Sequence, residues 1–158
     1  MNETMRLIGP ILAALVLLAL ITVVTPLSRA QTGPDDADAG LRKLVTDEAV
    51  RSGMEAIRRA VIDNHTLITH RRFPPPMAAG FKAHVNGKIK QLRADSRAPA
   101  RSLSELDKIL EAILKGARIA GLEDRSADPI DGLALIADAL EDYAAKFDHP
   151  GWKLLHEQ

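Results

Sequence analysis

The chain has 158 residues, 46% of them hydrophobic, with 21 basic side chains against 21 acidic ones. That balance excludes the basic footprint of a nucleic-acid-binding protein and any general attraction to anionic membranes. Cysteine is absent, which excludes disulfides, thiolate metal sites, covalently attached c-type haem and a cysteine nucleophile.

Residues 7–24 are a nearly unbroken apolar run behind Arg6. Ser28 and Ala30 put small residues at the −3 and −1 positions of a cleavage site after Ala30. The strongest part of the run, 11–24, has the length of a signal-peptide core, whereas a membrane span needs ~20 residues. The expectation is a signal peptide over residues 1–30. The alternative is an uncleaved inner-membrane anchor that uses all of 7–24. Either one exports the remainder, which places the domain in the periplasm. Residues 31–41 then read as a flexible acidic leader, rich in Gly, Pro and Asp. Its Asp35, Asp36 and Asp38 are weak cation ligands at most and belong to a solvated linker.

The domain proper spans residues 42–158. Its first predicted helix starts at Arg42 or Asp47 and runs to about His70. Val50, Met54, Ile57, Val61, His65 and Ile68 recur at helical steps and form one apolar stripe. Arg51, Glu55, Arg58, Arg59 and Asp63 fall off it. His65 lies on the stripe, so its imidazole is expected to point inward. His70 is five residues further, about 140° around the helix, so the two do not form an i, i+4 metal pair. Arg71 and Arg72 suit the negative end of the helix dipole, and the run Pro74-Pro75-Pro76 stops the helix.

The second predicted helix starts at Pro75 or Pro76, where proline is tolerated, and ends before Pro99. Its stripe is Met77, Phe81, Val85, Ile89 and Leu92, with His84 beside it. Gly80 and Gly87 weaken it and are expected to mark close helix contacts. The third opens with a capping box, Ser102 to Glu105, and carries Leu103, Leu106, Ile109 or Leu110, Ile113 and Ala117 inward until Gly121 stops it. The fourth opens at Asp128-Pro129 with Asp131 in its first turn. Its stripe is Leu133, Ile136 or Ala137, Leu140, Tyr143 or Ala144, and Phe147. His149-Pro150-Gly151 ends it, and Trp152 and Leu154 are expected to close the end of the core. No segment alternates like a strand. The fold class is therefore all-α: an antiparallel up-down-up-down four-helix bundle behind the export segment.

That topology sorts the polar residues. His65, His70, Met77 and His84 fall at the end where the first two helices meet, with Glu123, Asp124, Asp128 and Asp131. Asp107, His149 and His156 fall at the other. The first group suggests a metal site in which His65 and His84 hold copper, zinc or nickel, with His70 or Met77 contributing. The plainer alternative is that His65 is a hydrogen-bonded core histidine and the others are surface residues. A non-covalent haem between a histidine and a methionine is a third possibility. No nucleophile elbow, phosphate-binding loop or dinucleotide fingerprint occurs, nor any ExxH pair of the di-iron type. A non-catalytic binding protein is the leading expectation. An accessory module that docks on a protein partner, or on a second copy of itself, through a helix face is the other.

The segments SGMEAIRRAV, LDKILEAILKGARIAG and ALEDYAAKFDHPGW resemble the DnrO-like group of small exported proteobacterial proteins. The resemblance covers about residues 47–152, and FDHPGW is its most specific part. It implies a helical bundle in an exported compartment and no particular activity. The chain departs from the pattern at Ser96, where the group carries Cys, and at Asp107, where it carries His. No metal site is transferred to those two positions.

Overall fold

Among the described residues, proline and N-capping residues delimit four helices. The structure, a computed structural model, describes residues 42–123 and 126–157. All of them lie in one unit of the chain, Pro34–Gln158. The expected export segment and acidic leader, and Asp124, lie outside the described residues.

The first helix, α1, spans Glu48–Thr69. Asp47 caps it, its carboxylate accepting from Val50 N at 2.8 Å, and Glu48 adds a negative charge at the positive end of the dipole. Val50, Met54, Ile57, Val61 and Ile68 are buried, as the stripe predicts. His65 is not: it is exposed. The helix also stops two residues before Arg71, because Arg71 takes a left-handed conformation (φ 55°) and the chain turns there. Phe73 then enters the core and meets Phe81 edge-on at 6.1 Å.

The second helix, α2, spans Pro75–Asp95, with Pro75 in the first helical position. Its buried face is Ala78, Phe81, Val85, Ile89 and Leu92. Ala78 takes the place expected for Met77, which is 45% exposed. A side chain at Gly80 or Gly87 would meet nothing within 4 Å, so neither marks a close contact.

The third helix, α3, spans Ala100–Ala120. It starts at Pro99, whose carbonyl accepts the first helical bond from Leu103 N at 3.0 Å. Ser102 is therefore a buried residue inside the helix and caps nothing, contrary to the capping-box reading. Gly121 ends α3 as expected, but the left-handed residue is the next one, Leu122 (φ 59°).

The fourth helix, α4, spans Pro129–Lys146, and its Asp128 cap accepts from Ile130 N at 3.0 Å, as the sequence predicts. Leu133, Ile136, Leu140 and Tyr143 are buried along it.

Among the described residues the fold is all-α with almost no strand. The exception there is a two-residue parallel pairing that the sequence does not announce. Strand β1, Leu44–Val45, precedes α1 and pairs with β2, Phe147–Asp148, which follows α4. Thr46 Oγ1 donates to Asp148 O at 2.5 Å and Lys43 Nζ to Ala144 O at 2.9 Å. These bonds tie the start of the domain to the end of its last helix. Among the described residues no helix is long and apolar enough to cross a membrane.

The core is Leu, Ile, Val and Ala with Met54, Phe73, Phe81, Tyr143 and Phe147. Each buried aliphatic side chain contributes about 1.5–3 kcal/mol. Successive helices pack on one another, and α4 packs back on α1. The α3–α4 pair is the closest. A Cβ added at Gly116 would lie 2.5 Å from Gly132 O, and one added at Gly132 would lie 2.6 Å from Gly116 O. The two backbones touch there, and only residues without a side chain fit. The α1–α4 side has no such contact, and this asymmetry positions the site.

Candidate functional site

The structure separates the residues proposed for a metal. His65 lines a groove between α1 and α4, while His84 lines a different one between α1 and α2. His70 lies past the end of α1, its Nδ1 hydrogen donated to Thr66 O at 2.8 Å. Met77 is exposed in the first turn of α2. Among the described residues no group of three or more His, Cys, Asp or Glu is arranged to hold a metal ion. His65 and His84 recur on neighbouring helical stripes, but each sits at the outer edge of its stripe. The two edges open onto opposite sides of α1.

The α1–α2 groove, about 440 Å³, is polar and mixed in charge, with Arg59, Asp63, Asn64, His84 and Lys88 around Phe81. The α1–α4 groove is larger, about 600 Å³, and different in character. Val61, Ile62, Ile130, Leu133, Ala134 and Ala137 form its walls, and Leu155 adds to them from the C-terminal segment. Its polar residues are His65, Thr66 and Thr69 on α1, with His156 from the tail. Thr69 Oγ1 is already committed to His65 O at 2.9 Å. The two imidazoles are then the main polar groups that the groove can offer a ligand. A volume of roughly 300–1,000 Å³ with mainly apolar walls and few polar groups is the usual form of a small-molecule site.

His156 joins His65 in this groove rather than His149 at the far end, as antiparallel counting expects. The reason is a turn at 149–152, where Trp152 N donates to His149 O at 3.1 Å and Gly151 adopts φ 81°. Counting along the helices misses any residue beyond the last one, and only Pro150-Gly151 hints at the reversal.

The turn rests on an aromatic cluster. Tyr143 is fully buried, stacks on Phe147 at 5.0 Å and meets Trp152 at 4.9 Å. Its hydroxyl lies 2.9 Å from His149 Nδ1. Burial pushes the Tyr143 hydroxyl well above its ordinary pKa, so it stays protonated. When the neutral His149 ring carries its hydrogen on Nε2, Nδ1 accepts from that hydroxyl. Burial also lowers the pKa of His149. Glu55 and Glu48 oppose that shift, and Arg51 and Arg58 reinforce it. Arg58 grips Glu55 with two bonds of 3.0 and 3.1 Å and lies 5.8 Å from the Trp152 ring centre. The Arg58 bond, more than burial, sets Glu55, whose pKa falls below the usual carboxylate value. Two donors in this seam, Arg58 Nη1 and Trp152 Nε1, are buried with no protein acceptor. Each such group costs about 1–3 kcal/mol when it has no partner at all.

Ser96 and Asp107, the two positions that depart from the resembled pattern, have structural roles. Ser96 is buried, and its hydroxyl donates to Asp47 Oδ2 at 2.9 Å, where Arg97 N also donates. Asp107 pairs with Arg93 at 3.0 Å on the surface. Comparison of the chain with family models, with curated proteins and with solved structures finds no match.

Proposed function

We propose that this chain is an exported, non-catalytic binding protein whose ligand lies in the α1–α4 groove. The ligand class is a small amphiphile: one apolar chain with an acidic head, of the fatty-acid type. The observation that carries the reading is the groove itself, some 600 Å³ with aliphatic walls and two histidines among its few polar residues. An alkyl chain suits Val61, Ile62, Leu133 and Ala137, and a carboxylate suits imidazole donors.

The helices are taken to run up-down-up-down. In support, Arg71 of the α1–α2 turn pairs with Asp128 at the start of α4, and Lys82 reaches Glu123 after α3 at 3.4 Å. Likewise Asp47, before α1, binds Ser96 after α2. Export rests on residues 1–30, and the resemblance to DnrO-like proteins belongs with this reading.

A fluorescent fatty acid titrated into the protein tests it. Ala134→Phe and Ala137→Leu fill the groove from its wall without touching buried core positions. They should weaken binding at least about tenfold, or ~1.4 kcal/mol, with helix content unchanged. Binding that ignores both substitutions removes the groove as the site. Tight binding of copper or zinc that depends on His65 or His156, with no binding of the fatty acid, replaces the amphiphile by a metal.

A further inference from the structure

The chain does not end with its helices. Residues 149–157 leave β2, turn at Gly151, and deliver Leu155 and His156 to the wall of the α1–α4 groove. Among the described residues, the backbone hydrogen bonds of this segment are internal: Trp152 N to His149 O and Glu157 N to Leu154 O. Its attachments to the helices are side-chain ones. They are the Tyr143–His149 bond, the packing of Trp152 on Tyr143 and under Arg58, and Leu155 against the core. A segment held by few side chains and no backbone ladder belongs to the low-stability end of a fold. Two donors of this seam, Arg58 Nη1 and Trp152 Nε1, are buried without a protein acceptor.

We propose that residues 149–157 are a strap that forms part of the wall of the ligand groove, latched by the Tyr143–His149 hydrogen bond and released on acidification when His149 takes a proton. This rests on the groove being the ligand site. The neutral ring accepts from the Tyr143 hydroxyl through Nδ1. In the imidazolium Nδ1 carries a hydrogen, so the contact holds only by reversing, with Nδ1 donating to the phenol oxygen; the buried hydroxyl then loses Nδ1 as the acceptor for its own hydrogen, and a cation appears beside Arg51 and Arg58. Glu48 and Glu55 face the same ring from α1, but burial outweighs them and the closed form binds the proton poorly. The sign follows. With the strap open, His149 titrates near its ordinary value of 6.5, and with it closed the value is lower. The closed form is fully favoured above 6.5 and loses that advantage as pH falls through the interval below it.

Trp152 is the sole tryptophan, so its emission reports the strap. The experiment follows that emission, the helix signal by circular dichroism, and the release rate of a fluorescent fatty acid on the full chain from about pH 8 to about pH 5. The expected result is a red shift and faster release with no loss of helix. His149→Gln keeps an acceptor for Tyr143 but cannot take a proton, and should abolish the pH dependence of the emission and reduce that of the release. Tyr143→Phe should shift the emission toward the acid value at neutral pH. A flat emission profile, or an unchanged transition in His149→Gln, overturns the proposal. Probe binding whose release ignores pH overturns the strap and leaves the groove standing. A His149-dependent emission change in a protein that binds no fatty acid keeps the latch but removes the amphiphile and the gating role with it.

Discussion

Replacing Asp47 by Ala should be among the most costly single changes outside the core, although Asp47 is only half-buried. Its Oδ1 caps α1 through Val50 N at 2.8 Å, and its Oδ2 accepts from Ser96 Oγ at 2.9 Å and from Arg97 N in the α2–α3 connection. Loss of an N-cap costs about 1 kcal/mol. Ser96 is buried, so leaving its hydroxyl without the carboxylate costs about 1–2 kcal/mol more. Arg97 N is near the surface and can turn to water, which adds little. The sum, about 2–3 kcal/mol, corresponds to a fall in melting temperature of roughly 10 °C for a domain of this size. Urea unfolding should show it as a lower midpoint with unchanged slope. The effect also has a pH signature. Burial alone would raise the pKa of Asp47. The bonds from Val50, Arg97, Ser96 and Ala98 outweigh burial and hold it below its ordinary value of 3.8. The native state therefore binds the proton less well, and the stabilisation is complete above 3.8 and lost as pH falls through the lowered value. The gap between wild type and Asp47→Ala should be full at neutral pH and shrink in strong acid. Ser96→Ala should cost less on its own and add little to Asp47→Ala, because the two changes remove one shared bond. A gap that stays constant into strong acid, or two changes that add in full, would refute this account.

Gly132→Ala should destabilise by about 1–3 kcal/mol, since the new methyl would lie 2.5 Å from Ala120 N on the facing helix, and thermal melts would register it. Gly80→Ala and Gly87→Ala should each stabilise by about 0.5–1 kcal/mol, because both are helical and open. A loss at either would mean that α2 has a neighbour there. Asp128→Ala should cost about 1 kcal/mol for its cap on α4, whereas Arg71→Ala, which removes only a surface ion pair, should stay within about 0.5 kcal/mol. Equal losses in urea unfolding would show that the ion pair, not the cap, sets the cost.

The helices were legible because their punctuation is local. Pro75, Asp128-Pro129 and Gly121 all mark real boundaries, and the stripes of α1, α3 and α4 name most of the core. Errors arise where a tertiary contact overrides the local signal. Ser102 looks like a cap, but Pro99 starts α3 earlier and turns Ser102 inward. Met77 looks like core, but one step of register gives that place to Ala78. His65 keeps step with Val61 and Ile68, yet α4 does not cover it, because α4 is drawn toward α3. The β1–β2 pairing and the return of the tail join residues about a hundred positions apart, and nothing in a periodicity reports that. The candidate groove was accordingly half visible: His65 was singled out, and the groove it lines is also lined by His156, while His84 lines another.

Small residues on α4 serve opposite ends on its two sides, and that contrast bears on why the groove exists. Toward α3, Gly132 meets Gly116, the backbones touch, and no space remains. Toward α1, Ala134 and Ala137 carry a methyl each and face a groove that a larger aliphatic residue would fill. Were the groove only a gap between helices, the simplest repair would be Leu at either position, or the tail packed into it. Instead, the tail places its largest side chain, Trp152, on Tyr143 and brings only Leu155 and His156 to the groove as wall. Small residues thus close one helix pair and leave the other open, which is what the proposal of a ligand in the α1–α4 groove rests on.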